Sequence, residues 1–399
     1  MDSFPLLSSE EYLLRVGAIS SVTFYTSSRA EPTSHAKVQA DLQARLTEIA
    51  ASNPWLQGHL KNVEGGGVVL EVPSHGQPLH VEGFDLPHLS LGNPYHELTT
   101  SLDPLAVRCG ADLIANPDQP LLRVAWISIS PTQGAFYLSL SHVVGDGYTY
   151  YRLLRMFSSS VAPSALTPQR RHDLPMFAKG YNDTMDLHRS VSMMWHLAST
   201  ALLSSAPTMA VHSIDNEWIA AQKKAALPLK VSTNDVITSW YFKLCRADVG
   251  FMVANTRDRY PNVDQNMAGN YNTVVGYQPE DYATPSLIRK SLQQVPYRRA
   301  VSGEFPRMFR KTTAMITSWA SLRDSSPPSI PEWSCLAHYP VAAASYNPPY
   351  TNLAVVFRKT PTELGIILRT RGAVGDPTEL AKATRPQTCS VAPPSIPLM

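Results

Sequence analysis

Residues 135–154 read AFYLSLSHVVGDGYTYYRLL. In a strand, side chains alternate between faces, so Phe136, Leu138, Leu140 and His142 share one face. A short Gly-Asp-Gly turn follows, and beyond it Tyr150, Leu153, Leu154, Phe157 and Val161 recur at helical spacing. A strand, a turn and a helix in direct succession build an α/β layer. The strand phase points His142 inward with the apolar residues, four positions before Asp146.

The rest of the chain carries the same mixture. LLRVAWISIS (121–130) and the 135–142 run form a hairpin around PTQG. AKVQADLQARLTEIAA (36–51) places Val38, Leu42, Arg45, Leu46 and Ile49 on one helical stripe, which NPWL ends because the residue before proline avoids helical geometry. GHLKNVEGGGVVLEV reads as two short strands around a triple glycine. No helix or Lys-Ser/Thr follows those glycines, so a phosphate loop is excluded. Residues 160–230 are loosely patterned. STNDVITSWYFKLCRA then opens a second half with a helix capped at Ser232 or Thr233. The strand-like DVGFMVANTRDRYP, TNLAVVF and LGIILRTR follow.

Composition removes several function classes. A net charge of +2 is too small for a dense nucleic-acid-binding face. No apolar run approaches the roughly 20 residues of a membrane helix. The four cysteines, Cys109, Cys245, Cys335 and Cys389, are widely spaced without a CxxC, and read as reduced thiols. MDSFPLLSSEEYLLR has acids where a signal peptide has a basic start, so the expected location is cytoplasmic.

At neutral pH an imidazole can both take and return a proton. His142 can therefore activate a hydroxyl or amine and then protonate a leaving thiolate, with Gly145 and Gly147 leaving room for substrate and Asp146 pairing with an arginine. Two other readings of the pair stand beside this one. One is a core histidine satisfied by a carbonyl, with a solvated turn aspartate. The other is a pair of metal ligands, for which no further cluster with ligand spacing appears, so the expectation is no metal. No GxSxG elbow supports a serine hydrolase.

SHVVGDG resembles the HxxxDG motif of the chloramphenicol-acetyltransferase-like superfamily, which includes the BAHD acyltransferases and the condensation domains of peptide synthetases. Three further segments match in order: LTEIAASNPWLQGHL resembles the superfamily's first helix and P-x-L-x-G-x-L strand, VSTNDVITSWYFKLCRA its S-x-N-D helix, and ANTRDRYPNVDQNMAGNYN its N-x-R-x-R…GN strand and turn. Ser141 stands where condensation domains usually carry a second histidine, which favours a stand-alone acyltransferase. The BAHD signature DFGWG is absent, although ITSWASL (316–322) resembles the segment before it. A fungal or microbial relative, as in the trichothecene acetyltransferase branch, fits better than a plant enzyme. EWSCLAHYPVAAASYNPP has no counterpart in the resemblance.

The resemblance implies a fold and a set of roles. The fold is α/β: two chloramphenicol-acetyltransferase-like subdomains, each a mixed sheet flanked by helices, with the active-site channel between them. They are expected at 1–170 and 231–383, joined by a crossover at 171–230 and followed by a disordered tail at 384–399. His142 is the implied general base, and Asp146 pairs with Arg257, or failing that Arg259, while Gly147 keeps the turn open. Asn270, Thr317, Ser318 and Trp319 are oxyanion or channel candidates, and Tyr148 a channel residue. Arg289, Lys290, Arg310 and Lys311 are candidates for the phosphates of acyl-CoA, the expected co-substrate. The implied function is transfer of an acyl group from acyl-CoA to a small-molecule hydroxyl, or less readily an amine, by a monomer. The alternatives are a condensation-like or cyclising enzyme with a carrier-protein partner, and a non-catalytic binding protein.

Overall fold

The computed structural model describes residues 2–27, 34–74, 76–174, 182–301, 303–322, 326–342, 350–372 and 375–386. Within them lie two large mixed sheets and a small antiparallel one. The five-stranded sheet runs Trp333–Val341, Ile19–Ser27, Gln133–Leu140, Leu122–Ser130, Val81–Asp85. The seven-stranded sheet runs Asn272–Tyr277, Val249–Asn255, Thr313–Ser318, Asn352–Arg358, Leu364–Thr370, Thr208–Ile214, Thr384–Pro386. Thr313–Ser318 pairs in parallel with both of its neighbours, and Val81–Asp85 pairs in parallel with Leu122–Ser130.

Gln133–Leu140 is central in its sheet, and every residue after Gln133 is buried. Phe136, Leu138 and Leu140 face one core, and Ala135 and Tyr137 the other. Helix His35–Ser52 covers the first face. Its stripe buries Val38, Leu42, Leu46 and Ile49, each contributing about 1.5–3 kcal/mol. Arg45 lies on the same stripe and keeps its place by donating to the carbonyls of Met156 (2.7 Å) and Ser158 (3.1 Å). The triple-glycine hairpin forms as read, His59–Asn62 against Val68–Val72, with Gly65, Gly66 and Gly67 all at positive φ. Asp2–Pro5 adds a third strand to it.

The second half lends one strand to the first. Trp333–Val341, in the stretch for which the resemblance offered no counterpart, leaves the second half and lies antiparallel to Ile19–Ser27 at the edge of the first sheet. The core between the large sheets draws on both halves: Phe24, Tyr339 and Phe357 form a chain of edge-on and tilted rings at 6.4 and 5.8 Å. The crossover is also more ordered than its composition suggests. It holds helices Asp183–His188, Val191–Leu203 and Asn216–Ala225, and strand Thr208–Ile214 joins the seven-stranded sheet. Of the expected tail, Thr384–Pro386 pairs with Thr208–Ile214, and residues 387–399 lie outside the described residues. No helix among the described residues is long and apolar enough to cross a membrane.

Candidate active site

A cavity of about 770 Å³ lies between the halves, within the usual range for small-molecule sites. The first half lines it with Leu13, residues 15–20 and 106–109, and the His142 turn. The face of the seven-stranded sheet supplies the opposite wall. There Met209, Arg369, Leu353 and Met315 are successive neighbours across four strands, giving an apolar floor with one buried cation.

His142 sits two residues beyond the end of Gln133–Leu140, half-buried, with its side chain on the cavity. Its Nδ1 is buried without a hydrogen-bond partner. Burial lowers its pKa from the ordinary imidazole value; its own carbonyl, Asp146, the Gly145 backbone and Asn270 oppose that shift without cancelling it. The ring is thus neutral, and able to accept a proton, at neutral pH.

Asp146 does two structural jobs. As N-cap of helix Gly147–Met156, its Oδ1 accepts from the Thr149 amide (3.0 Å) and hydroxyl (3.2 Å). Its Oδ2 accepts from Arg257 Nη1 at 2.7 Å and from the Tyr271 amide at 3.2 Å. Arg257, wholly buried, also donates from Nη2 to the Gly269 carbonyl (2.9 Å) and from Nε to that of Met267 (3.0 Å).

Several sequence candidates stand elsewhere. Tyr148 is buried outside the cavity lining, its ring covered by the Arg257 guanidinium at 4.5 Å. Asn270 is also buried outside the lining. Its Nδ2 donates to the His142 carbonyl at 2.8 Å, so it holds the turn from behind and is spent as a donor. Asn272, at the start of the next strand, reaches the cavity instead. Thr317 and Trp319 line it, whereas strand alternation turns Ser318 away. Gly147 abuts Trp319: a Cβ there would lie 3.2 Å from the indole Nε1.

None of the four phosphate candidates lines the cavity. Arg289 Nε donates to Asp235 Oδ2 (2.7 Å), and Lys311 pairs with Asp248 (3.0 Å). Lys290 and Arg310 are exposed. The exposed cations on the lining are Arg15 and Arg108, whose distance from any motif hid them in the sequence. His338, on the exchanged strand, was missed as well. It is fully buried between the Thr23 hydroxyl (2.8 Å) and the Tyr151 hydroxyl (3.0 Å), and burial drives its pKa down to about 3. Tyr151 in turn meets Trp319 edge-on at 5.9 Å.

No family model and no curated protein matches the chain. Solved structures do. F. graminearum TRI101 complexed with coenzyme A and T-2 mycotoxin superposes with a TM-score of 0.62, at 13% identity over 96% of this chain and 97% of that one. F. sporotrichioides TRI101 complexed with coenzyme A and T-2 gives 0.61, at 14% identity over 93% and 95%. The first condensation domain of the calcium-dependent antibiotic synthetase, in complex with a substrate analogue, gives 0.60 at 15% identity over 96% and 93%. At such identities the likeness is one of fold, and along nearly its whole length the chain has the two-subdomain, chloramphenicol-acetyltransferase-like α/β fold of these structures.

Proposed function

We propose that the protein is an acyltransferase that moves an acetyl or longer acyl group from acyl-CoA to a hydroxyl of a small, largely apolar acceptor. The observation that carries this reading is a half-buried His142, its Nδ1 unpartnered, facing an inter-subdomain cavity from a turn fixed by a buried ion pair. The likeness to structures that contain coenzyme A supports the choice of donor.

In this reading, neutral His142 takes the proton of the acceptor hydroxyl as its oxygen attacks the thioester carbonyl. The new C–O bond pushes the carbonyl electrons onto oxygen. Thr317, Asn272 and Trp319, on the wall formed by the second half, are our candidates to donate a proton to that oxyanion, a kind of contact worth roughly 2.7–4 kcal/mol in other enzymes. Collapse breaks the C–S bond, and protonated His142 returns its proton to the thiolate. Asp146 and Arg257 act through their ion pair, which sets the turn. Arg15 and Arg108 replace the four sequence candidates as the cations placed to meet the CoA phosphates. The apolar floor of Met209, Met315 and Leu353 fits an acceptor bound mainly by burial.

Release of free thiol from acetyl-CoA in the presence of an alcohol panel tests the proposal, with His142→Ala as control. The structural match to a condensation domain keeps a second reading alive, in which a carrier protein holds the donor. Turnover of a pantetheine-loaded carrier with indifference to free acyl-CoA would select that reading.

A further inference from the structure

A second buried ion pair stands behind the His142 turn, outside the cavity lining. Glu10 Oε2 accepts from Arg170 Nε at 2.9 Å, and both side chains are entirely inaccessible to solvent. We infer that Glu10 and Arg170 are positioning residues for His142, an inference that rests on reading His142 as the base.

The geometry is specific. The turn presents three consecutive carbonyls to this region. Asn270 Nδ2 donates to those of His142 (2.8 Å) and Val143 (3.3 Å), and Arg170 Nη2 to that of Val144 (3.2 Å). Glu10 orients both donors: its Oε1 accepts from the Asn270 backbone amide (2.9 Å) and side chain (3.3 Å), while its Oε2 holds Arg170. Arg170 Nη1 is itself fixed by the carbonyls of Pro168 (2.6 Å) and Ala268 (3.2 Å). Gly269 seals the arrangement. At φ +120 it admits only glycine comfortably, and a Cβ there would fall 2.9 Å from Arg170 Cζ and 3.0 Å from Glu10 Oε1.

A buried ion pair is weak as a stability device, because desolvation of two charges offsets their attraction. Here the pair fixes three carbonyl directions, and through them the seat of the imidazole. It also places two opposite charges behind the turn that carries His142. Losing one leaves the other exposed to the ring. Glu10→Gln leaves Arg170 and disfavours imidazolium; Arg170→Gln leaves Glu10 and favours it. The other charged groups around the ring are Asp146 and Arg257 across the turn, and Arg15, Arg108, Asp103, Asp112 and Arg369 along the cavity. They are the same in all variants.

The test is a pH titration of the His142 ring by NMR in the full, ligand-free chain, for the parent, both single variants and the double variant. Thiol release from acetyl-CoA with the alcohol panel is followed in parallel. The expected result is opposite shifts of about one unit, downward in Glu10→Gln and upward in Arg170→Gln, the scale of an uncompensated charge nearby. The double variant returns to the parent value, and the singles lose about tenfold to a hundredfold in kcat with little change in KM. If a single variant fails to fold, the double, which buries no lone charge, carries the test: reduced kcat at unchanged pKa supports the inference, and parental kcat overturns it. Unshifted titrations with parental rates in the folded singles also overturn it. Full turnover in His142→Ala would defeat the base reading, whereas the titrations would still report on the pair.

Discussion

Arg257 Nη1 meets Asp146 Oδ2 at 2.7 Å, joining the turn just past strand Val249–Asn255 in the second half to the N-cap of helix Gly147–Met156 in the first half. One guanidinium thus ties the His142 turn to the opposite subdomain. Removing one member of a buried pair leaves the other charged and unsolvated, a cost of about 3–5 kcal/mol. Arg257→Met is therefore expected to lower the midpoint of chemical denaturation sharply. Asp146→Asn, which keeps the capping oxygen, is expected to lose less stability than Asp146→Ala. Denaturant titration of the three variants checks the order.

His338 ties the exchanged strand to Thr23 and Tyr151 as a neutral ring. Its folded pKa of about 3 lies below the unfolded value near 6.5, so between those limits the unfolded chain binds the extra proton. Its contribution is fully present above about pH 6.5 and falls as the medium is acidified towards pH 3. The expected slope from this one group is about 1.4 kcal/mol per pH unit, which His338→Gln should remove from a series of denaturation curves.

Gly147 and Trp319 both line the cavity that His142 faces. In Gly147→Ala the new methyl at 3.2 Å from the indole forces Trp319 to move by a few tenths of an ångström. Overpacking of this kind costs about 1–3 kcal/mol when nothing yields. Because Trp319 is only partly buried it can yield, so the expected effect falls on turnover more than on melting temperature. Kinetics and thermal denaturation on one preparation separate the two.

Arg108→Ala is expected to raise KM for acyl-CoA with kcat nearly unchanged, and to weaken the dependence of that KM on salt. Exposed charge pairs are screened over about 10 Å at 0.1 M ionic strength. Lys290→Ala, at an exposed site off the cavity, is the matched control and should change neither.

What the sequence revealed was what short segments encode. The strand, turn and helix around His142 and the stripe of helix His35–Ser52 follow from local periodicity. The meeting of Asp146 with Arg257 was reached through matched segments, since no spacing rule links residues 111 apart. Long-range pairing stayed hidden. Arg289 looked like a free cation because its partner, Asp235, lies 54 positions earlier, inside a capping box. Trp333–Val341 was opaque because a strand that crosses to the other subdomain has its register set by Ile19–Ser27. Glu10 read only as one of the acids that set the N-terminal stretch apart from a signal peptide, and only folding brings it against Arg170, 160 positions away.

The central claim is that neutral His142 removes the acceptor's proton. The direct measurement is the pH dependence of kcat/KM for thiol release from acetyl-CoA, using an acceptor that scores in the alcohol panel, in the parent protein and in His142→Ala. The lowered pKa of His142 places the expected acid limb below the ordinary imidazole value of about 6.5. In His142→Ala that limb should vanish together with at least about 100-fold of the rate. An unchanged rate in His142→Ala, or the same limb in both proteins, would contradict the claim.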